Sequence, residues 1–276
     1  MLVKTMICLL TLSGVCTLFG SRTHGYSHPN TLSSPDQTRE KDFAWRGTIA
    51  SGQSIEIKGI YGDIHAEPAR GNEVEVVATK SSGHSNPAEV EIRTLRHNQG
   101  VTICAIYPSS LPAKPNLCEA GDGSSHVHNN DVRVDFTVRV PTHLRLIART
   151  ITGNIDASSL SSDVEAYTAL GNIQISTTKS AQARSITGSI TAAMGNANWS
   201  GQLDFESSTG EITVKLPANA NTDLHAESIS GNISTEFPLT VQGSAGSYSV
   251  NGTIGTGGRK LNVKTISGPI KVLHAT

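Results

Sequence analysis

Aromatic residues are scarce, only 4% of 276 residues, and this scarcity argues against an ordinary β-sandwich, whose centre is filled by Phe, Tyr and Trp. A thin interior of stacked Ile, Val, Leu and Ala needs few aromatics, so the composition favours a solenoid. Charge of one sign is also missing. The 22 Lys and Arg nearly balance 23 Asp and Glu, and no polybasic run occurs, so nucleic acid and an anionic membrane surface are disfavoured as partners. The sequence has no Gly-x-Ser-x-Gly elbow, no phosphate loop, no His-Glu-x-x-His and no Cys-x-x-Cys. Nor does any segment carry a helical apolar stripe longer than about a turn.

The one long uncharged stretch runs from Thr5 to Gly20 behind Lys4 and includes Leu9, Leu10, Leu12, Leu18 and Phe19. It is too short for a comfortable transmembrane helix and reads as a secretory signal over residues 1–20, leaving no transmembrane span in the mature chain. Leu18-Phe19-Gly20 is a poor cleavage site. Cys16 raises lipid modification as an alternative, against the weak lipobox match of Ser13-Gly14-Val15. The leader carries Lys4 and no acid, so cleavage near Gly20 leaves a net charge of about −2. An extracytoplasmic location follows, whether periplasmic, surface-bound or released. Residues 21–42, with Pro29 and Pro35 and no apolar periodicity, read as a flexible linker.

Cys8 and Cys16 go with the leader, which leaves Cys104 and Cys118. In an oxidising compartment this pair predicts a structural disulfide contributing on the order of 3 kcal/mol; a metal or redox site is the alternative.

Residues 43–276 read as one β-strand-repeat domain. Alternating apolar residues mark strands around Ile55 and Ile57, Val74 to Ala78, Val90 and Ile92, Val101 to Ala105, and most cleanly Val132 to Val140. Between Pro108 and Asn130 the alternation stops in a loop containing Cys118. The dominant feature is a recurring phrase, first Gly59-Ile60-Tyr61-Gly62-Asp63-Ile64 and then Thr150-Ile151-Thr152-Gly153-Asn154-Ile155, with copies centred on Gly171, Gly188 and Gly231 and weaker ones on Gly210, Gly252 and Gly268. From Gly153 onward the glycines are 18, 17, 22, 21, 21 and 16 residues apart, the range expected of stacked repeats. This predicts an all-β, right-handed β-solenoid (β-helix-like) of about seven coils after an irregular N-terminal β region. Counting parity through the glycine puts Ile151, Ile186, Ile229, Val250 and Ile266 on the same inner face as the Ile that follows two residues after it. Asn154, Asn172 and Asn232 after the glycine could stack as amide ladders, though Asn suits a turn on its own account. Pro269 in the last copy would suit a terminal edge that must not be extended.

The exported leader, Val101-Thr102-Ile103-Cys104-Ala105-Ile106-Tyr107-Pro108, the run from Asp131 to Pro141 and the serial Thr/Ser-x-Ser/Thr-Gly-x-Ile phrases together resemble a bacterial family of proposed adhesins with β-strand repeats. That family is long classed as a domain of unknown function. The resemblance covers about residues 45 to 274. It implies a β-solenoid-like fold outside the cytoplasm, with adhesion or envelope association by analogy, and it brings no catalytic residues.

Two clusters are candidates for chemistry. Asp204 and Glu206 alternate on one strand face, about 7 Å apart, a spacing open to a glycosidase pair. His126, His128, Asp122 and Asp131 combine metal-ligating types in one polar loop. In both, ordinary solvated surface residues are the simpler reading, so no catalytic, cofactor or metal residue is assigned and Cys104 and Cys118 stand as the disulfide pair. Trp45 and Trp199 are too far apart in sequence to suggest a sugar-stacking platform. The expected function is a non-enzymatic envelope or surface protein contacting glycans or proteins, and the alternative is a carbohydrate-active enzyme, a polysaccharide hydrolase or lyase on a β-helix scaffold.

Overall fold

The computed structural model describes residues 43–241 and 248–275; the expected leader and linker lie outside the described residues. The N-terminal part forms β1 (Phe43–Thr48), β2 (Ser54–Lys58), β3 (Ile64–Pro68), β4 (Glu73–Ser81), β5 (Glu91–His97), β6 (Gly100–Ile106) and β7 (Arg133–Val140), with one 3-10 turn at Pro87–Glu89. The repeats then form strand pairs: β8 (Arg145–Thr152) with β9 (Ile155–Leu160), β10 (Asp163–Leu170) with β11 (Ile173–Thr177), and β12 (Ala181–Thr187) with β13 (Ile190–Met194). There follow β14 (Gln202–Thr209) with β15 (Ile212–Leu216), β16 (Thr222–Ser230) with β17 (Ile233–Thr235), β18 (Leu239–Val241), β19 (Ser249–Ile254), and finally β20 (Lys260–Ser267) with β21 (Ile270–His274).

These strands make two large, mostly parallel sheets, the solenoid architecture expected from the repeats. One is ten-stranded, in the order β1-β4-β7-β3-β9-β11-β13-β15-β21-β17; the other is eleven-stranded, in the order β18-β19-β16-β20-β14-β12-β10-β8-β2-β6-β5. Each coil gives its first strand to one sheet and its second to the other. The core between them is a set of one-residue ladders. Ile155, Ile173, Ile190, Ile212 and Ile270 are fully buried in register on one side, facing Ala148, Ala166, Ala183, Phe205 and Val263 on the other. Each such isoleucine contributes about 1.5–3 kcal/mol by burial. The irregular N-terminal region is an excursion from the same stack: β2 and β3 form a regular coil beside β8 and β9, while antiparallel β4, β7 and β1 extend one sheet and β6 and β5 the other.

The corner glycines explain the repeat, and they correct the parity count. At Gly188 (φ +146°) a Cβ would lie 1.9 Å from the carbonyl oxygen of Gly171, and Gly62, Gly153, Gly171, Gly210, Gly268 and Gly231 meet a neighbouring backbone just as closely. The glycines stack on one another, so the clash is with the next coil's main chain. The positive φ also breaks the two-residue alternation. In β12, Ala183 and Ser185 point inward, Ile186 points out and is 58% exposed, and Ile190 beyond the corner points inward again. Ile151, Ile229 and Ile266 are likewise exposed, so these four isoleucines are surface residues rather than core, whereas Ile60 of the first copy is buried.

The inward position is instead a hydroxyl. Thr168 Oγ1 donates to the Gly153 carbonyl at 3.0 Å, Ser185 Oγ to Gly171 at 3.2 Å, Ser207 Oγ to Gly188 at 3.0 Å and Ser228 Oγ to Gly268 at 3.0 Å. Each buried hydroxyl thereby satisfies itself on the stack of corner carbonyls. After the glycine, side-chain oxygens take the next coil's N–H: Asp63 accepts from Asn154 at 2.7 Å, Asn154 from Asn172 at 2.9 Å and Asn172 from Ser189 at 2.9 Å.

The order of coils departs from the order of sequence. The C-terminal pair β20 and β21 inserts between β14/β15 and β16/β17, so Pro269 lies inside the stack, where its carbonyl accepts from Ile212 N at 3.0 Å. The expected terminal role for Pro269 is therefore overturned. Proline is tolerated because the N–H at this position, as Asn154, Asn172 and Ser189 show, bonds to a side chain and not to the backbone ladder. Gly252 is no corner either; it sits within β19, paired antiparallel with β16 and β18.

Candidate binding groove

Outward side chains of the eleven-stranded sheet form rows running from coil to coil. Register places Lys58 beside Arg149, Arg149 beside Tyr167 and Tyr167 beside Arg184. The same row continues through Glu206, Lys264 and Glu227. Two residues further along the strands, a second row carries the exposed Ile151, Ile186, Ile266 and Ile229. With the loop of residues 108–130 standing over one end, the two rows line a groove of about 1090 Å³.

The loop is held by covalent and polar contacts. Cys104 in β6 is bonded to Cys118, with Cα atoms 5.6 Å apart. Lys58 Nζ donates to the carbonyls of Glu119 at 2.8 Å and Gly121 at 2.7 Å, and Gly121 N donates to Glu56 Oε2 at 3.0 Å. Glu56 is almost wholly buried. It also accepts from Thr102 Oγ1 at 2.8 Å and from Arg149 Nε at 3.0 Å, while Arg149 Nη1 reaches Asp122 at 2.8 Å. A buried carboxylate with this many donors is compensated, so the cluster anchors the loop. Burial holds the Lys58 ammonium below its ordinary pKa, with Glu56 opposing. The Arg149 guanidinium lies 4.1 Å over the Tyr167 ring, and burial pushes the Tyr167 hydroxyl up to about 12.

Asp204 and Glu206 do share the outer face of β14, and both turn to Arg184, whose Nη2 lies 3.7 Å from Asp204 and whose Nε lies 3.4 Å from Glu206. Asp204 also accepts from Asn262 at 3.0 Å and Gln202 at 2.8 Å. Both carboxylates are thus paired with one guanidinium. The two aspartates of the loop cluster are engaged apart: Asp122 with Arg149, and Asp131 with the backbone N–H groups of His84 at 2.9 Å and Ser85 at 2.7 Å. His126 N donates to Asn116 at 2.8 Å. Among the described residues no group of three or more His, Cys, Asp or Glu side chains is placed to hold a metal ion. Trp199 is buried and Trp45 packs under Arg96. Sequence reasoning missed Glu56, Arg149 and Tyr167. The available signal was a charged residue, Glu56, between two core isoleucines, but its partners come from strands and a loop distant in the chain.

Within the groove neighbouring charges pair with one another, and an apolar row is exposed beside them. The sequence pattern of the family Toastrack DUF4097 matches residues 51–273. A proposed cell adhesion protein from Clostridium sporogenes ATCC 15579 shares 14% identity, with 84% of this chain and 100% of that chain covered and a TM-score of 0.46. A proposed adhesin from Bacteroides fragilis NCTC 9343 shares 11% identity over 83% of this chain and 96% of that chain, with a TM-score of 0.38. No curated protein matches. The family pattern runs from the N-terminal coil through the inserted C-terminal pair, and the chain belongs to the Toastrack DUF4097 family.

Proposed function

We propose that this is an exported, non-enzymatic protein of the cell envelope or surface that acts by binding, as an adhesin does, through the groove on its eleven-stranded sheet. In this reading residues 1–20 are the signal peptide, 21–42 a linker and 43–276 the binding domain, working outside the cytoplasm on envelope or surface glycans or proteins. The observation that carries it is the charge pairing inside the groove. Arg184 lies 3.4 Å from Glu206 and Lys264 lies 3.7 Å from Glu227, so the acids there are engaged by neighbouring cations. Export is supported by the leader and by a disulfide, which persists in oxidising compartments. Among the described residues no helix is long and apolar enough to cross a membrane.

The test is a glycan array together with whole-cell binding by the mature protein. Saturable binding, weakened by Ile186→Asp and Ile229→Asp, is the expected result; no binding to either would sink the adhesion reading. The enzymatic alternative draws on Glu206 and Glu227 lining the groove. It predicts new reducing ends from an envelope polysaccharide and their loss in Glu206→Gln.

A further inference from the structure

The charged row has an internal order that bears on the partner. Read across the sheet from β12 to β16, it runs Arg184, Glu206, Lys264, Glu227, alternately positive and negative. Reversed end for end, the row reads negative, positive, negative, positive. Each position therefore meets its opposite charge when the row is laid antiparallel against itself. The four side chains are about half exposed and are free to face a partner. Adjacent strands are about 4.8 Å apart, so the four span roughly 14 Å.

The apolar row follows the same symmetry. Beside the charges stand Ile186, Ser208, Ile266 and Ile229, with Ile186 58%, Ile266 54% and Ile229 67% exposed. A two-fold axis along the strand direction, between β14 and β20, keeps row against row and inverts only the order of coils. Ile186 then meets Ile229 of the other copy, and Ile266 meets Ser208. An isologous interface needs a surface complementary to itself, and a stripe of exposed isoleucine needs cover. The disulfide loop anchors on Glu56, Lys58 and Arg149, beyond the β12 end, and walls the same groove.

We propose that the partner of this face is a second copy of the same chain, packed face to face about that axis with Arg184 against Glu227 and Glu206 against Lys264. The proposal rests on the reading of the protein as a binding protein and names the occupant of its groove. A homophilic contact of this kind links two copies on one surface or on two.

The order of charges can be reversed with opposite charges kept adjacent along the row, at the loss of the Arg184 contact with Asp204 and the Glu227 contact with His225. The variant Arg184→Glu, Glu206→Arg, Lys264→Glu, Glu227→Lys keeps opposite charges adjacent and remains self-complementary. Set antiparallel against the wild type, it meets like charge at every position. By sedimentation equilibrium on the mature protein, wild type and the four-fold variant should each dimerise, yet a mixture carrying two fluorophores should show no exchange between them. Single Arg184→Glu should weaken the wild-type dimer at least about tenfold, more so at low than at high salt, and Ile186→Ser with Ile229→Ser should abolish it with circular dichroism unchanged. A wild type that stays monomeric up to its solubility limit, or a four-fold variant that mixes freely with it, overturns the proposal. Cell and glycan binding run in parallel separate the two readings. Binding by a monomer overturns the second copy and leaves the binding function standing, whereas a dimer without external binding does the reverse.

Discussion

Gly188 and Gly252 look alike in the sequence and differ in kind. A Cβ at Gly188 would meet the Gly171 carbonyl at 1.9 Å with φ at +146°, while at Gly252 the nearest atom is a leucine methyl at 3.3 Å and φ is not positive. Gly188→Ala should cost at least about 2 kcal/mol, since backbone must move and the conformation is strained, and Gly252→Ala well under about 1 kcal/mol. Urea unfolding of both would check this; equal costs would refute the stacked-corner account. Thr168→Val removes one hydroxyl donor from the Gly153 carbonyl at nearly constant volume. A loss of about 1 kcal/mol is expected, with the fold intact. The recurring shape of the phrase was legible at this scale, but the inward role of its Ser and Thr was not. Alternation can be counted along a strand and fails across a residue with positive φ.

At the scale of elements, the loop of residues 108–130 and the hook of residues 83–85 are fastened by different forces. Cys118→Ser opens a link of sequence separation 14, and about 3 kcal/mol of stability should go with it in the loop-entropy model. Faster proteolysis within 108–130 would be the local readout. Asp131 is held well below the usual carboxylate range, first by the Ser85 backbone N–H and then by the Ser85 side chain and His84. Because its folded pKa lies below the unfolded value near 3.9, its contribution is present above that pH and is lost as pH falls through the depressed value. Amide chemical shifts of His84 and Ser85 should therefore remain native at about pH 3.9 and change only in stronger acid. A midpoint at the ordinary carboxylate value would contradict the hook. The Cys104 and Cys118 pair could be proposed from the sequence, but the Glu56 anchor could not, since burial of a glutamate is decided by which donors the distant loop brings.

For the whole molecule, the decisive feature is that the last strands lie inside the stack. β20 pairs with β14 on one side and β16 on the other, and β21 likewise separates β15 from β17. Truncation after residue 258 should therefore unpair both neighbouring coils and cost the cooperative unfolding of the C-terminal half. A solenoid ordered as its sequence would only fray. Hydrogen exchange of the truncated chain distinguishes these outcomes, protection retained in β16 being the one that contradicts the observed order.

The local repeat, read from the chain alone, determined an all-β stack with glycine corners, isoleucine ladders after them and few aromatics, because each of these depends on neighbours within a few residues. Tertiary structure decided the rest. It placed the C-terminal coil between two earlier ones, turned Ile151, Ile186, Ile229 and Ile266 to the surface and aligned Arg184, Glu206, Lys264 and Glu227 into one row. The physical reason lies in the backbone ladder. Any coil with the right corner can pair with any other, so the phrase specifies that coils stack, and the connections between them specify in what order. The groove face follows from that order.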